Sequence, residues 1–332
     1  MELMFGPVQG VLLTDGSTAL QAIIKPPKGM FDWLSISTND PDTWERITNV
    51  SFLEFEDTIR HGELLFGKAA DMGVNSKLQY RKNMVRLGFS PHKLYNGLHG
   101  VVNPNGMPMN HDTFTPQALS WVFEWLHREF ALNPANCQLH HVEFGVNLWG
   151  LPVPTEKILN SLIAYAYKGK QIKDMEVSGI GDGRVVKFSQ YELKFYDKSL
   201  QNLLPYSILR IEYKARKMQP VQKIFGEYPV LSDLLNPILW VKCRNRLRSV
   251  IEYCIFDDEF PFEQDRNLVT WRNPREWSAM NSTKRSRNQR KLDNLVQKKG
   301  KLKIKEKLLL AVEKECDKML IEHDGAMILP IN

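Results

Sequence analysis

Two short runs constrain this chain more than anything else in it: Tyr191-Glu192-Leu193-Lys194-Phe195-Tyr196-Asp197-Lys198 and Leu209-Arg210-Ile211-Glu212-Tyr213-Lys214. Both alternate with the period of two that a β-strand imposes, rather than the 3.6 of a helix. On the first run Tyr191, Leu193 and Phe195 point one way, and Glu192, Lys194, Tyr196 and Lys198 point the other. On the second, Ile211, Tyr213 and Ala215 match the first set, and Arg210, Glu212 and Lys214 match the second. Strands of this kind build a sheet with one packed face and one charged face. A tyrosine flanked by lysines, on the same face as a carboxylate, suits a nucleophile that attacks a phosphodiester near a metal ion.

A third run, Leu139-His140-His141-Val142-Glu143-Phe144-Gly145-Val146-Asn147, carries the same alternation. Val142, Phe144 and Val146 face a core, while His141, Glu143, Gly145 and Asn147 share the opposite face. An imidazole and a carboxylate two residues apart on one face can ligate one divalent ion, and Gly145 leaves room for a close approach. Each run alone also describes an ordinary half-exposed strand. Three strands converging on one face favour a site: Glu143, Glu212 and His141 as ligands of Mg²⁺ or Mn²⁺, with Tyr196 attacking phosphorus to give a phosphotyrosine and a 3′-hydroxyl. A phenol with an ordinary pKa of ~10 needs help at neutral pH. Lys198 and Lys194 are placed to lower that pKa or to stabilise the charge on phosphorus. Tyr191 is the rival nucleophile, but alternation puts it among the core residues.

The remaining pattern sets the frame. Strands are expected at Trp33–Ser37, Met84–Phe89, Leu139–Leu148, Arg184–Tyr196 and Ile208–Arg216. One helix starts at Thr115-Pro116, with an apolar stripe through Leu119, Val122, Phe123, Leu126 and Phe130, and another starts at Thr155 with Leu162 and Ile163 on its apolar side. That order predicts an α+β fold: an antiparallel, ferredoxin-like sheet with helices on one face and the other face free. Ser90–Gly100 reads as an irregular segment in which Lys93, Asn96, His92 and His99 clamp a phosphate or are tied down by local hydrogen bonds. Beyond Pro220 the pattern turns helical, over Leu231–Phe256 and Lys301–Glu322. The expected division is an extension over 1–29, a catalytic domain over 30–226, and a helical basic region over 227–332.

Charge is uneven. The stretch from Arg272 to Lys307 holds thirteen Lys and Arg against three acids, a local +10 in a chain whose total is +6, so the remainder is −4. A basic tail on a slightly acidic body is suited to a polyanion. Lys284, Arg285, Arg287, Arg290, Lys298 and Lys299 are the expected contacts to duplex phosphates, with Lys194 and Arg210 adding to DNA binding at the sheet. Trp271 and Trp277 either anchor the tail or stack on unpaired bases. The cysteines at 137, 243, 254 and 316 form no CxxC pair, and no apolar run approaches the ~20 residues of a membrane span, so a cytoplasmic protein with reduced thiols is expected.

Four segments, in order, resemble motifs of the filamentous-phage gene II nicking-closing endonucleases and, more distantly, the Rep-trans initiators of plasmid rolling-circle replication. They are Ser90-Pro91-His92-Lys93 through Gly100, His141-Val142-Glu143, Tyr191 to Leu200 with its Tyr196-x-Lys198, and Leu209-Arg210-Ile211-Glu212 with Phe225-Gly226 beyond it. Together they span roughly 40% of the chain. The resemblance implies a nuclease fold of the His-hydrophobe-His class and a metal-dependent single-strand nick at an origin, with covalent attachment to the 5′ end and later rejoining. The paired metal histidines of that class are absent here, and His141-x-Glu143 stands in their place. No Gly-rich Lys-Ser/Thr nucleotide loop occurs, so a host helicase and a DNA polymerase are the implied partners. The alternatives are a non-catalytic DNA-binding regulator on the same fold and a mobilisation relaxase.

Overall fold

The alternating runs become the middle of a broad antiparallel sheet. The computed structural model describes residues 30–50, 54–56, 64–69, 74–79, 84–112, 114–176, 182–260 and 266–324. The extension over 1–29, with its Pro26–Gly29 linker, and the turn glycines Gly179 and Gly181 lie outside the described residues. In chain order the strands are β1 (Phe31–Thr38), β2 (Glu54–Glu56), β3 (Leu64–Ala69), β4 (Val74–Gln79), β5 (Met84–Phe89), β6 (Gln138–Trp149), β7 (Leu162–Tyr165), β8 (Lys170–Gln171), β9 (Lys173–Glu176), β10 (Asp182–Lys187), β11 (Tyr191–Asp197), β12 (Ile208–Ala215) and β13 (Cys254–Phe256). Ten of them form one sheet in the order β2-β3-β4-β5-β1-β6-β12-β11-β10-β9, and β13-β7-β8 form a second, small one. Neighbouring strands run antiparallel throughout both sheets.

The helices are α1 (Pro41–Thr48), α2 (Pro91–Leu98), α3 (Pro116–Phe130), α4 (Thr155–Ser161), α5 (Lys198–Asn202), α6 (Met218–Phe225), α7 (Pro237–Glu252), α8 (Arg266–Trp271), α9 (Pro274–Ala279), α10 (Ser282–Lys299) and α11 (Ile304–Asp324). Thr115 caps α3 through its side chain to the Ala118 amide, with Pro116 in the first turn, as its sequence predicts. The apolar face of the sheet (Leu34, Val142, Phe144, Phe195 and Ile211) is fully covered. Trp240 of α7 meets Phe31 edge-on at 5.2 Å, and α11 adds Ile304, Leu308 and Val312 to the same core. That core runs from Met30 to Cys316, on both sides of residue 227. Ala164, Ile255, Leu268, Trp271, Trp277, Met280 and Leu292 make a second cluster beneath α10.

The α+β class with an antiparallel sheet and helices holds, but several details of the sequence reading do not, among them the single strand expected over Arg184–Tyr196, which is the antiparallel pair β10 and β11. The sheet is far wider than a ferredoxin-like one, because strands β2–β5 extend one edge and β9–β10 the other. Ser90–Gly100 is mostly helix: Ser90 accepts from the Lys93 amide at 3.3 Å and Pro91 fills the first turn, the same Ser/Thr-Pro start that marks α3. Leu162 and Ile163 belong to β7, not to a helix face. Lys198 leaves the strand and opens α5, capped by Asp197. Trp271 and Trp277 are buried, the Trp277 indole donating to the Trp271 carbonyl at 2.7 Å, so they anchor the tail and are closed to bases. All four cysteines are buried thiols, and burial pushes Cys137 up to about 12. No described helix is long and apolar enough to cross a membrane.

Candidate active site

Register brings the polar residues of four neighbouring strands onto one patch. Glu212 lies between Gly145 on β6 and Lys194 on β11, Arg210 between Asn147 and Tyr196, and Lys214 between Glu143 and Glu192. On the far side of β6, β1 sets Trp33 opposite Glu143 and Ser35 opposite His141. Over this patch lies a cleft of about 710 Å³, closed at its ends by Ser90 and Lys93 at the start of α2, by Asn110, and by Gln201 of α5.

Inside the cleft Lys194, Arg210 and Lys214 are each tied to a carboxylate. The Tyr196 hydroxyl donates to Glu212 Oε2 at 3.1 Å, and Arg210 Nε donates to the same oxygen at 3.2 Å. The Arg210 fork also reaches Asn147 Oδ1 at 2.8 Å and Asp32 Oδ2 at 3.2 Å. Lys194 Nζ bridges Glu212 Oε1 at 2.6 Å and Glu143 Oε2 at 3.3 Å. The other oxygen of Glu143 meets His141 Nε2 at 3.0 Å and the Lys214 ammonium. Lys198 is buried over the Tyr196 ring, 5.7 Å from its centroid, and donates to Gln201 Oε1 at 2.7 Å. Three carboxylates, Asp32, Glu143 and Glu212, thus face five basic groups, Lys93, Lys194, Lys198, Arg210 and Lys214, a balance that leaves room for one more negative group such as a phosphodiester even with Lys198 neutral.

This packing sets the protonation of the site. Burial, then the charge of Glu212, holds the Tyr196 phenol well above its ordinary pKa, so the lowering expected from Lys198 and Lys194 does not occur, and Arg210 is the cation that opposes the rise. Burial likewise raises Glu212, in spite of Lys194. Burial also opposes ionisation of Glu143, but its bond to His141 and the charges of Lys194 and Lys214 override that and bring it to about 2. Burial brings Lys198 down to about 7, so its ammonium gives up a proton near neutrality. Gly145 is fitted to this crowding: a Cβ there would stand 2.5 Å from the Ile211 carbonyl oxygen and 3.2 Å from the Arg210 guanidinium. The close approach expected at Gly145 is therefore made by β12 itself.

Tyr196, Lys198, Glu143, Glu212, His141, Lys93 and Lys194 all line the one cleft. Asn96 and Arg210 do not offer themselves to DNA. Asn96 is buried, its amide donating to Met109 O at 2.9 Å and Asp112 Oδ1 at 2.7 Å, and Arg210 is buried with its donors engaged. His92 is buried against Asp112 at 2.7 Å and stacked on Phe114, so this segment is tied down by its own side chains. On α10, Lys284, Arg287, Arg290, Lys298 and Lys299 are exposed, while Arg285 is partly buried and donates to the Met280 carbonyl. Tyr191 is half-buried, stacked between Phe188 and Tyr213 on the face away from the cleft, as alternation requires.

Asp32, Asn110 and Gln201 are members of the site that the sequence did not disclose. Strict alternation from Trp33 puts Asp32 on the core side, but the pairing of β1 with β6 shifts between Phe31 and Trp33. That bulge turns the Asp32 carboxylate towards Arg210. As for a metal, no three described His, Cys, Asp or Glu side chains are grouped to hold one ion. Two carboxylates, Glu143 and Glu212, have the oxygen donors a hard divalent ion takes, and both reach the point where Lys194 Nζ now sits. His141 Nε2 meets Glu143 Oε1, the oxygen of that carboxylate that does not face Lys194.

No protein family and no curated protein matches this sequence. Among solved structures, a rolling circle replication initiator protein from Geobacillus stearothermophilus aligns with 75% of this chain and 93% of its own, at 13% identity and a TM-score of 0.37. A likeness that loose carries no argument about activity.

Proposed function

We propose that the cleft nicks and rejoins one strand of origin DNA, and that the protein initiates rolling-circle replication. The observation that carries this reading is the Tyr196 hydroxyl donating to Glu212 within a cleft whose cations outnumber its carboxylates. In the forward step Tyr196 Oη attacks phosphorus and its proton passes to Glu212. The P–O3′ bond breaks, and the departing 3′ oxygen takes a proton from Lys198. The product is a 5′-phosphotyrosine and a free 3′-hydroxyl, and rejoining is the reverse. Lys194 and Lys214 offset the charge that grows on the phosphoryl oxygens. Glu143 Oε2 and Glu212 Oε1, the oxygens that Tyr196 does not engage, would hold a divalent ion, which would supply Lewis-acid polarisation of the phosphate. Origin DNA, duplex and single-stranded, is the partner the cleft and α10 require, and strand separation and synthesis fall to a separate helicase and polymerase.

One observation favours the binding-only reading: Tyr196 is only 5% exposed and is braced by Glu212, as a purely structural tyrosine would be. Supercoiled DNA carrying the cognate origin, incubated with Mg²⁺ or Mn²⁺ and run under denaturing conditions, separates the two. A metal-dependent protein–5′-end adduct that disappears in Tyr196→Phe and persists in Tyr191→Phe is the expected result. An adduct that survives Tyr196→Phe removes Tyr196 as nucleophile. Bound DNA with no nick under either metal leaves the binding-only regulator.

A further inference from the structure

Behind the sheet, on the face that carries Tyr191 and Tyr213, lies a second concavity of about 570 Å³. Its chemistry is the opposite of the cleft's. Lys168, Lys223, Lys242 and Arg246 line it, and no carboxylate among the described residues does. Lys168, Lys223 and Lys242 are exposed, and the ion pairs of the described residues do not engage them. Arg246 lies over two rings, 5.3 Å from the centroid of Tyr191 and 5.0 Å from that of Tyr213. Those two rings belong to a stacked column from Phe188 to Phe144 and have no face to spare for a ligand. Tyr167 lies at the rim and is 40% exposed, in tilted contact with Tyr253 at 5.3 Å and Phe188 at 6.2 Å, with Lys168 5.5 Å from its ring centroid.

We propose that this concavity binds single-stranded nucleic acid, one base stacking on Tyr167 with the neighbouring phosphates on Lys223, Lys242 and Arg246. The volume is in the range of small-ligand sites and holds a nucleotide. An unpaired strand is the ligand that offers both a flat π face and a row of negative charges, and aromatic rings beside a basic groove are how proteins bind it without reading its sequence. Asn245 and Ser249 of α7 line the same concavity and supply neutral donors and acceptors for base or sugar edges. The helix α7 fixes the arrangement, since Lys242, Arg246 and Ser249 fall on one of its faces at spacings of four and three.

The surface continues onto α10. Arg285 packs on Gly169, in the turn that carries Tyr167 and Lys168, so a strand held at Tyr167 would run onto the exposed cations of that helix. An acidic peptide would satisfy the lysines and leave the exposed ring unused, which is why the nucleic acid is the better fit. The inference does not depend on chemistry in the cleft, and it assigns a place to an unpaired strand whether or not the protein nicks.

The test uses the full chain and a fluorescent oligothymidylate. The paired substitution Lys223→Ala and Lys242→Ala is expected to lower the salt dependence of binding by about 1.4 in log–log slope, at ~0.7 per lost contact, while the thermal midpoint stays unchanged. Tyr167→Ala is expected to weaken binding by about tenfold or more at constant slope. A strand carrying 5-iodouracil should photocrosslink to Tyr167 in the parent protein. Three results would each overturn the proposal: unchanged affinity and slope in these variants, crosslinks confined to the cleft or α10, or displacement by polyglutamate as effective as by unlabelled single strand.

Discussion

The cleft and the helix α10 are both rich in lysine and arginine, yet their cations are in opposite situations. In the cleft Lys194, Arg210 and Lys214 are each bonded to a carboxylate, and Arg210 is closed off from water. On α10, Lys284, Arg287, Arg290, Lys298 and Lys299 are exposed, and among the described residues the helix is ion-paired instead through Asp293 to Lys305 of α11. Charges of the first kind hold a geometry, and removing one leaves its partners buried and unpaired. Charges of the second kind are free to displace counterions from a polyanion and contribute little to the fold. The same residue types thus serve architecture and chemistry in one place and affinity in the other.

The sharpest way to break this comparison is at Arg210. It joins Glu212, Asp32 and Asn147, all buried or nearly so, and Arg210→Ala is expected to cost about 3–5 kcal/mol in urea unfolding. A loss below ~1 kcal/mol would mean that water reaches these carboxylates and that the cleft is as open as α10. Acid titration sharpens the same point at smaller amplitude. Burial opposes ionisation of Asp32, but Arg210, then Lys198, overrides it and holds the carboxyl well below its ordinary value. A depressed folded-state pKa stabilises the fold above the unfolded value of 3.8, and this stability is lost as pH falls below it. Asp32→Asn should therefore flatten the acid limb of stability against pH below about 3.8. An unchanged limb would remove Asp32 from the ion network.

Much of the cleft was legible because alternation is a strict rule. Once Tyr191–Asp197, Gln138–Trp149 and Ile208–Ala215 are strands, Lys194, Tyr196, Glu143, His141 and Glu212 must share a face, and they do. What the rule could not supply came from departures from it. A bulge in β1 reverses Asp32, and the strand ends at Asp197, so Lys198 reaches Tyr196 from a helix. Asn96 failed for another reason: an amide that reads as a surface clamp is drawn inward to donate to the Met109 carbonyl and, beside His92, to Asp112. The width of the sheet was hidden because β2 is only three residues long, and β3 (Leu64-Leu65-Phe66-Gly67-Lys68-Ala69) and β4 (Val74-Asn75-Ser76-Lys77-Leu78-Gln79) carry no strict alternation of apolar and polar residues. The Ser90-Pro91 start of α2 was visible, since it is the same signal that marked α3.

The gentlest prediction concerns α10. Neutralising Lys298 and Lys299, both exposed at the end of the helix, removes no ion pair seen among the described residues. The unfolding midpoint should not move, in contrast to Arg210→Ala. Duplex affinity should fall by a similar factor on every sequence, because a lysine at a phosphate carries no base information. The slope of log affinity against log salt should become shallower by about 0.9 for each lysine that contacts a phosphate. Two contacts predict about 1.8, and a change near zero would show that this end of α10 never touches the duplex. A loss confined to one DNA sequence would contradict the comparison from the other side, since it would make these exposed charges part of a specific geometry, as the buried ones of the cleft are.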